Sequence, residues 1–115
     1  MASMPNPDWL VNMLGATMIA LVAGDGRDLT ARQLAIVLAC YLREGPHTVR
    51  GLAAALNVSK PSITRAIDRL VELGLAVRRP DPWGHRSITV EHTVKGAAFP
   101  RDLRSIMAKA ATSTP

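Results

Sequence analysis

At 115 residues, 48% of them apolar and only 3% aromatic, the chain is too apolar for a disordered tail and too short for two full domains, so a single aliphatic core is expected. Its formal charge of +5 points to a polyanionic partner, and six Lys/Arg against three acids between Ser59 and Arg86 concentrate much of that charge. A single cysteine excludes an internal disulfide framework and suits a reducing cytoplasm.

Met1–Pro7 is a lead-in with two prolines, and Asp8 is placed to cap a first helix running to about Ala23, where Gly24-Asp25-Gly26 stops it. The uncharged stretch Trp9–Gly24 is interrupted by Asn12 and Gly15 and is shorter than the ~20 residues of a membrane span. The first eight residues hold an Asp and no Lys or Arg, which is not how a signal peptide starts. This helix is apolar nearly all round, more than one small domain can cover. Trp9, Leu10, Met13, Leu14, Met18 and Leu21 are therefore assigned to a homodimer interface.

Thr30 opens a second helix with Gln33 three residues on, a capping box, and Leu29 and Leu34 stand at the hydrophobic-staple positions. Its apolar stripe is Leu34, Val37, Leu38 and Tyr41, and Gly45-Pro46 ends it. Thr48 caps a third helix whose Leu52, Ala53 and Leu56 face inward. After Asn57, Ser59 caps a fourth, with Val58 and Ile63 as a second staple pair and Ile63, Ala66, Ile67 and Leu70 as the buried stripe. Gly74 terminates it in a left-handed cap, with Leu75 folding back on Leu70. Leu75 and Val77 then alternate with Ala76 and Arg78, and Ile88 and Val90 with Ser87 and Thr89: two strands joined by Pro80-Asp81-Pro82-Trp83-Gly84-His85.

Helix, tight turn, helix and basic hairpin make a mainly α winged helix-turn-helix with a small β-hairpin wing. With Ile63, Ala66, Ile67 and Leu70 inward, the 100° step puts Pro61, Thr64, Arg65 and Asp68 outward, with Lys60 and Ser62 at the leading edge. Such a face suits the DNA major groove, because short polar groups and an Arg lie in the first two turns. Arg65 has the fork to hold guanine O6 and N7. Ser59, Ser62 and Thr64 are base or phosphate contacts, while Lys60, Arg69, Arg79 and His85 fall to phosphates. Asp68, three residues after Arg65, is placed either to hold that guanidinium or to accept from a cytosine amine. Arg86, at the base of the wing, suits the negative potential of the minor groove.

Cys40 lies in the apolar run Ala35–Leu42 and reads as a structural thiol. His47, His85 and His92 have no metal-ligand spacing, and no nucleophile–base pair, phosphate loop or paired carboxylate is present. No catalytic, cofactor or metal site is expected.

From Leu29 to about Gly96 the chain resembles the winged helix of the MarR family of bacterial regulators. The resemblance is carried by LTARQLAIVLACYL, by TVRGLAAALNVSKPSITRAIDRLVELGLAVRR, by Asp81 followed by Arg86, and by Thr93-Val94-Lys95-Gly96, similar to that family's LTxxG stretch. It implies recognition-helix contacts at Pro61, Ser62, Thr64 and Arg65, and a wing in which Asp81 steadies Arg86. It also implies a dimer formed by longer terminal helices that enclose an effector pocket. The ends here are short, so a small-molecule effector is left open.

The expected organisation is a dimerisation helix over residues 1–28, a winged helix-turn-helix over 29–96, and a short C-terminal helix, about Arg101–Ala111, with a flexible tail over 97–115. The expected function is that of a cytoplasmic, nucleoid-associated homodimer that binds double-stranded DNA at a palindrome and regulates transcription, most often as a repressor. The alternative from another class is an interaction adaptor that docks a heterologous protein through the apolar first helix. Nonspecific nucleoid binding is a third reading.

Overall fold

A computed structural model describes residues 6–24, 28–80 and 88–114. Among these the chain forms helices α1 (Pro7–Ala23), α2 (Ala31–Leu42), α3 (Val49–Leu56), α4 (Lys60–Glu72) and α5 (Val94–Ser113), and strands β1 (His47–Thr48), β2 (Ala76–Pro80) and β3 (Ile88–His92). They fall into two units, one made of Met1–Asp28 with Arg101–Pro115, the other of Leu29–Pro100.

In the larger unit local sequence sets the helix ends. The Gln33 amide N–H donates to Thr30 Oγ1 at 3.1 Å and the Thr30 N–H to Gln33 Oε1 at 3.0 Å, the reciprocal capping box that starts α2. Thr48 caps α3 through a 2.9 Å bond from the Gly51 N–H. Asn57 closes α3 in the left-handed region (φ 55°), where its short polar side chain is better tolerated than most. Ser59 then starts α4 by accepting from the Ser62 N–H at 3.3 Å. At the far end Gly74 (φ 75°) makes a Schellman cap: its N–H reaches Val71 O and the Leu75 N–H reaches Leu70 O, each at 2.9 Å.

The core of this unit is aliphatic. Ile63, Ala66, Ile67 and Leu70 are all buried, so α4 presents its expected stripe inward. α2 is covered more broadly than a single stripe: Ile36, outside the expected Leu34/Val37/Leu38/Tyr41 line, has no exposed surface at all. Cys40 is partly covered beside Val90 O (3.9 Å), and burial pushes its thiol from 9.0 up to about 11.

The sheet differs from a simple hairpin. β1 joins it, giving the antiparallel order β1-β3-β2, with His47 opposite Val90 on one side and Arg78 opposite Val90 on the other. The central position of β3 buries Thr89 as well as Val90. Ile88 is about half exposed (48%), because it sits at the distal end of β3 opposite the exposed Pro80. The expected two-residue alternation therefore does not hold along β3.

α5 starts at Val94, seven residues before the expected Arg101, because Thr93 caps it: its hydroxyl accepts from the Gly96 N–H at 2.9 Å and donates to Gly74 O at 2.5 Å. The Thr93 N–H also reaches Leu75 O (3.3 Å) and Lys95 Nζ donates to Leu73 O (2.8 Å). The Thr93-Val94-Lys95-Gly96 motif is thus a clasp between the start of α5 and the end of α4. Pro100 is accommodated within α5 at the cost of one ladder bond.

In the smaller unit the cap of α1 is Asn6, not Asp8. Asn6 Oδ1 accepts from the Asp8 N–H at 2.8 Å, Pro7 occupies the first turn, and Asp8 lies beside it, where the helix dipole favours an acid. Trp9 Nε1 donates to Thr114 O at 3.2 Å, tying the start of α1 to the end of the chain. Thr17 is the buried residue of α1, its hydroxyl turned back on Met13 O at 2.7 Å. Leu103 and Ala110 are buried on α5. Among the described residues no helix is long and apolar enough to cross a membrane.

Candidate nucleic-acid interface

The outer face of α4 follows from its inner one. Lys60, Pro61, Thr64, Arg65, Asp68 and Arg69 are exposed, and Ser62 is half-buried at the leading edge. The first turn is organised by hydroxyls: Ser59 Oγ donates to Ser62 Oγ at 2.9 Å, and Arg65 Nη2 donates to the same Ser62 oxygen at 3.4 Å. That contact leans the Arg65 guanidinium toward the amino end of the helix, and the residue stays exposed. Arg65 has no carboxylate partner among the described residues, so its charge is available to an incoming acceptor.

The acid at Asp68 does not hold Arg65. It pairs with Arg78 on β2, whose Nη2 also donates to Thr64 O at 3.3 Å. An i,i+3 spacing brings Asp68 near Arg65, but Arg78 approaches from the sheet with two acceptors to satisfy at once. The sequence offers no local signal for this pairing, which spans ten residues and a strand.

The flanking cations are partnered too. Arg69 pairs with Glu72 at 3.2 Å and Arg79 with Glu91 at 2.9 Å, all four side chains more than half exposed. Pairs so solvated are worth little, ~0–1 kcal/mol, and either arginine can exchange its carboxylate for a phosphate. Lys60 stands exposed beside the helix start. The wing residues Asp81, His85 and Arg86, with Pro82, Trp83 and Gly84, lie outside the described residues.

The assigned dimer residues divide by exposure. Leu10 and Leu14 are exposed, whereas Trp9, Met13, Met18 and Leu21 are partly covered. Val11 (67%), Ile19 (73%) and Val22 (49%), which the assignment omitted, extend the bare apolar surface of α1.

A helix held between a three-residue turn and a three-stranded sheet, with hydroxyls and a guanidinium that has no carboxylate partner among the described residues on its outward first two turns, defines a winged helix-turn-helix of DNA-binding type. A model of the MarR family matches residues 27–87. The chain belongs to the MarR family of DNA-binding transcriptional regulators and is not an enzyme. It is similar in structure to a transcriptional regulator from Thermotoga maritima (TM-score 0.70, 23% identity, covering 91% of this chain and 68% of that one). It is also similar to a MarR-family regulator from a Rhodococcus species (0.66, 28%, 85% and 66%) and to wild-type MarR from E. coli (0.68, 23%, 96% and 82%). No curated protein matches the chain.

Proposed function

We propose that this protein is a sequence-specific regulator that binds a palindromic site on double-stranded DNA as a homodimer and represses by covering a promoter. In this reading the amino-terminal half of α4 enters the major groove. Arg65 forks onto a guanine, Thr64 and Ser62 contact base edges or phosphate, and Lys60, Arg69 and Arg79 hold phosphates. Asp81, His85 and Arg86 serve the wing, and α1 supplies the dimer contact. A two-fold dimer sets the two α4 helices about one DNA turn (~34 Å) apart. The protein acts in the cytoplasm, on the nucleoid.

The observation that carries this reading is the exposed guanidinium of Arg65, without a carboxylate partner among the described residues, amid the hydroxyls of the first turns of α4. Selection of bound duplexes from a random pool, followed by salt titration on the winner and on a scrambled duplex, tests it. An enriched inverted repeat with half-sites ~10 bp apart supports the reading. Equal weak binding to both duplexes overturns it.

The bare apolar surface of α1 also favours a second reading, an adaptor that docks a different protein there. Mass in solution separates the two: a dimer of this chain supports the regulator, a monomer the adaptor.

A further inference from the structure

Arg78 contributes to the basic character of the sequence, yet the structure withdraws it from solvent. Only 30% of its side chain is exposed, about half the value for Arg79 beside it. Its Nη2 reaches Asp68 Oδ1 and Thr64 O, two acceptors one helical turn apart on α4. The other arginine pairs of this surface stay local: Arg69 and Glu72 share a helix, and Arg79 and Glu91 share a sheet. Among the described ion pairs, Arg78–Asp68 alone joins the helix to the wing strand.

We propose that Arg78, with Asp68, is a positioning pair that sets the angle of α4 against β2 and so the specificity of base reading, rather than a contact to DNA. The proposal rests on the regulator reading of this same face. A planar guanidinium can serve a carboxylate and a carbonyl together, which a lysine ammonium on a flexible stem does poorly. The bridge grips α4 at Thr64 and Asp68, the residues immediately before and three after Arg65. A small swing of the helix would therefore move Arg65 off its base before any phosphate contact was lost. It also accounts for an acid on a surface that faces DNA, because the Asp68 charge is matched from behind.

The test is equilibrium binding of the full chain to the selected and scrambled duplexes over a range of salt, with Arg78→Met, Asp68→Asn and the exchanged pair D68R/R78D. Arg78→Met and Asp68→Asn are each expected to weaken the selected duplex on the order of tenfold, the scale of one lost charge-assisted hydrogen bond. Binding to the scrambled duplex and the salt slope stay at wild-type values, and the exchanged pair regains part of the preference. Asp68→Asn is decisive and conservative enough to keep the fold, because plain electrostatics predicts the opposite sign: losing an acid would tighten both duplexes.

Tighter binding by Asp68→Asn overturns the proposal, as does a salt slope lowered by ~0.9 in Arg78→Met, the mark of a lost phosphate contact. Unchanged preference in both variants, with wild type still selective, overturns this proposal alone. A wild-type chain that does not distinguish the duplexes overturns the regulator reading and this proposal with it.

Discussion

Replacing Gly96 by alanine sets two physical effects against each other. Helix propensity favours the change, since alanine is better than glycine in a helix interior by ~1 kcal/mol. The structure opposes it. A Cβ at Gly96 would overlap the Leu75 carbonyl oxygen, stand 2.9 Å from the carbonyl carbon and touch His92 Cβ at 3.4 Å. The obstacle is backbone, and it is held: the Leu75 N–H is bonded to Leu70 O at 2.9 Å and Leu75 O accepts from the Thr93 N–H at 3.3 Å. Relief requires the start of α5 to back away, which stretches the Thr93 bond to Gly74 O and the Lys95 bond to Leu73 O. Overpacking at ~1–3 kcal/mol and two weakened hydrogen bonds at ~1 kcal/mol each, less the propensity gain, leave a net loss of ~2–4 kcal/mol. For a chain of this size that lowers Tm by roughly 10–15 °C. Urea and thermal unfolding followed by circular dichroism, at one protein concentration because the proposed dimerisation would couple to Tm, measures it. Stability equal to or above wild type would show that propensity wins and that α5 does not approach Leu75 this closely.

Arg65→Ala should cost ~1–3 kcal/mol on the selected duplex and relax preference at one base position, read by repeating the selection with the variant. Leu14→Glu, on the exposed face of α1, should convert a dimer into a monomer at micromolar concentration by sedimentation, with far-ultraviolet dichroism unchanged. Cys40, its thiol pushed up to about 11, holds ~100-fold less thiolate near pH 8 than a thiol at 9.0. Iodoacetamide should accordingly label the native chain at least that much more slowly than the urea-unfolded chain, and equal rates would mean the thiol is not buried.

The parts of this fold that could be read from the sequence are those whose physics is local. Thr30 with Gln33, Thr48, Ser59 and Gly74 each act within about four residues, and each helix end lies where they place it. The buried stripe of α4 was legible because the opposite face is polar, so one period fits it. α2 has less contrast between its faces, and there periodicity passes over Ile36. At the start of α1 two good capping residues compete, and Pro7 decides for Asn6 because proline suits the first helical turn. β1 is two residues long and shows no period; only its pairing with β3 defines it. The site divides in the same way. Arg65 and its outward neighbours follow from the helical step, whereas Asp68–Arg78 is a tertiary contact that no spacing rule contains.

The two ends of α4 are anchored very unequally. At the carboxyl end, the carbonyls of Leu70, Val71, Leu73 and Gly74 each accept a bond from outside the helical ladder, two of them from side chains of the α5 clasp. Toward the amino end the described hold is lighter: the Ser59 cap, the buried Ile63 and the Arg78 bond to Thr64 O, with Lys60 and Pro61 exposed. Mechanically α4 resembles a propped cantilever, built into the domain at its root, braced along its length by Arg78 and carrying only its first residues as an open tip. Load applied at the tip is carried to the root, into the first turn of α5. Amide exchange should accordingly run fast near Ser62 and slow near Leu75, and an operator should protect the tip with little change at the root.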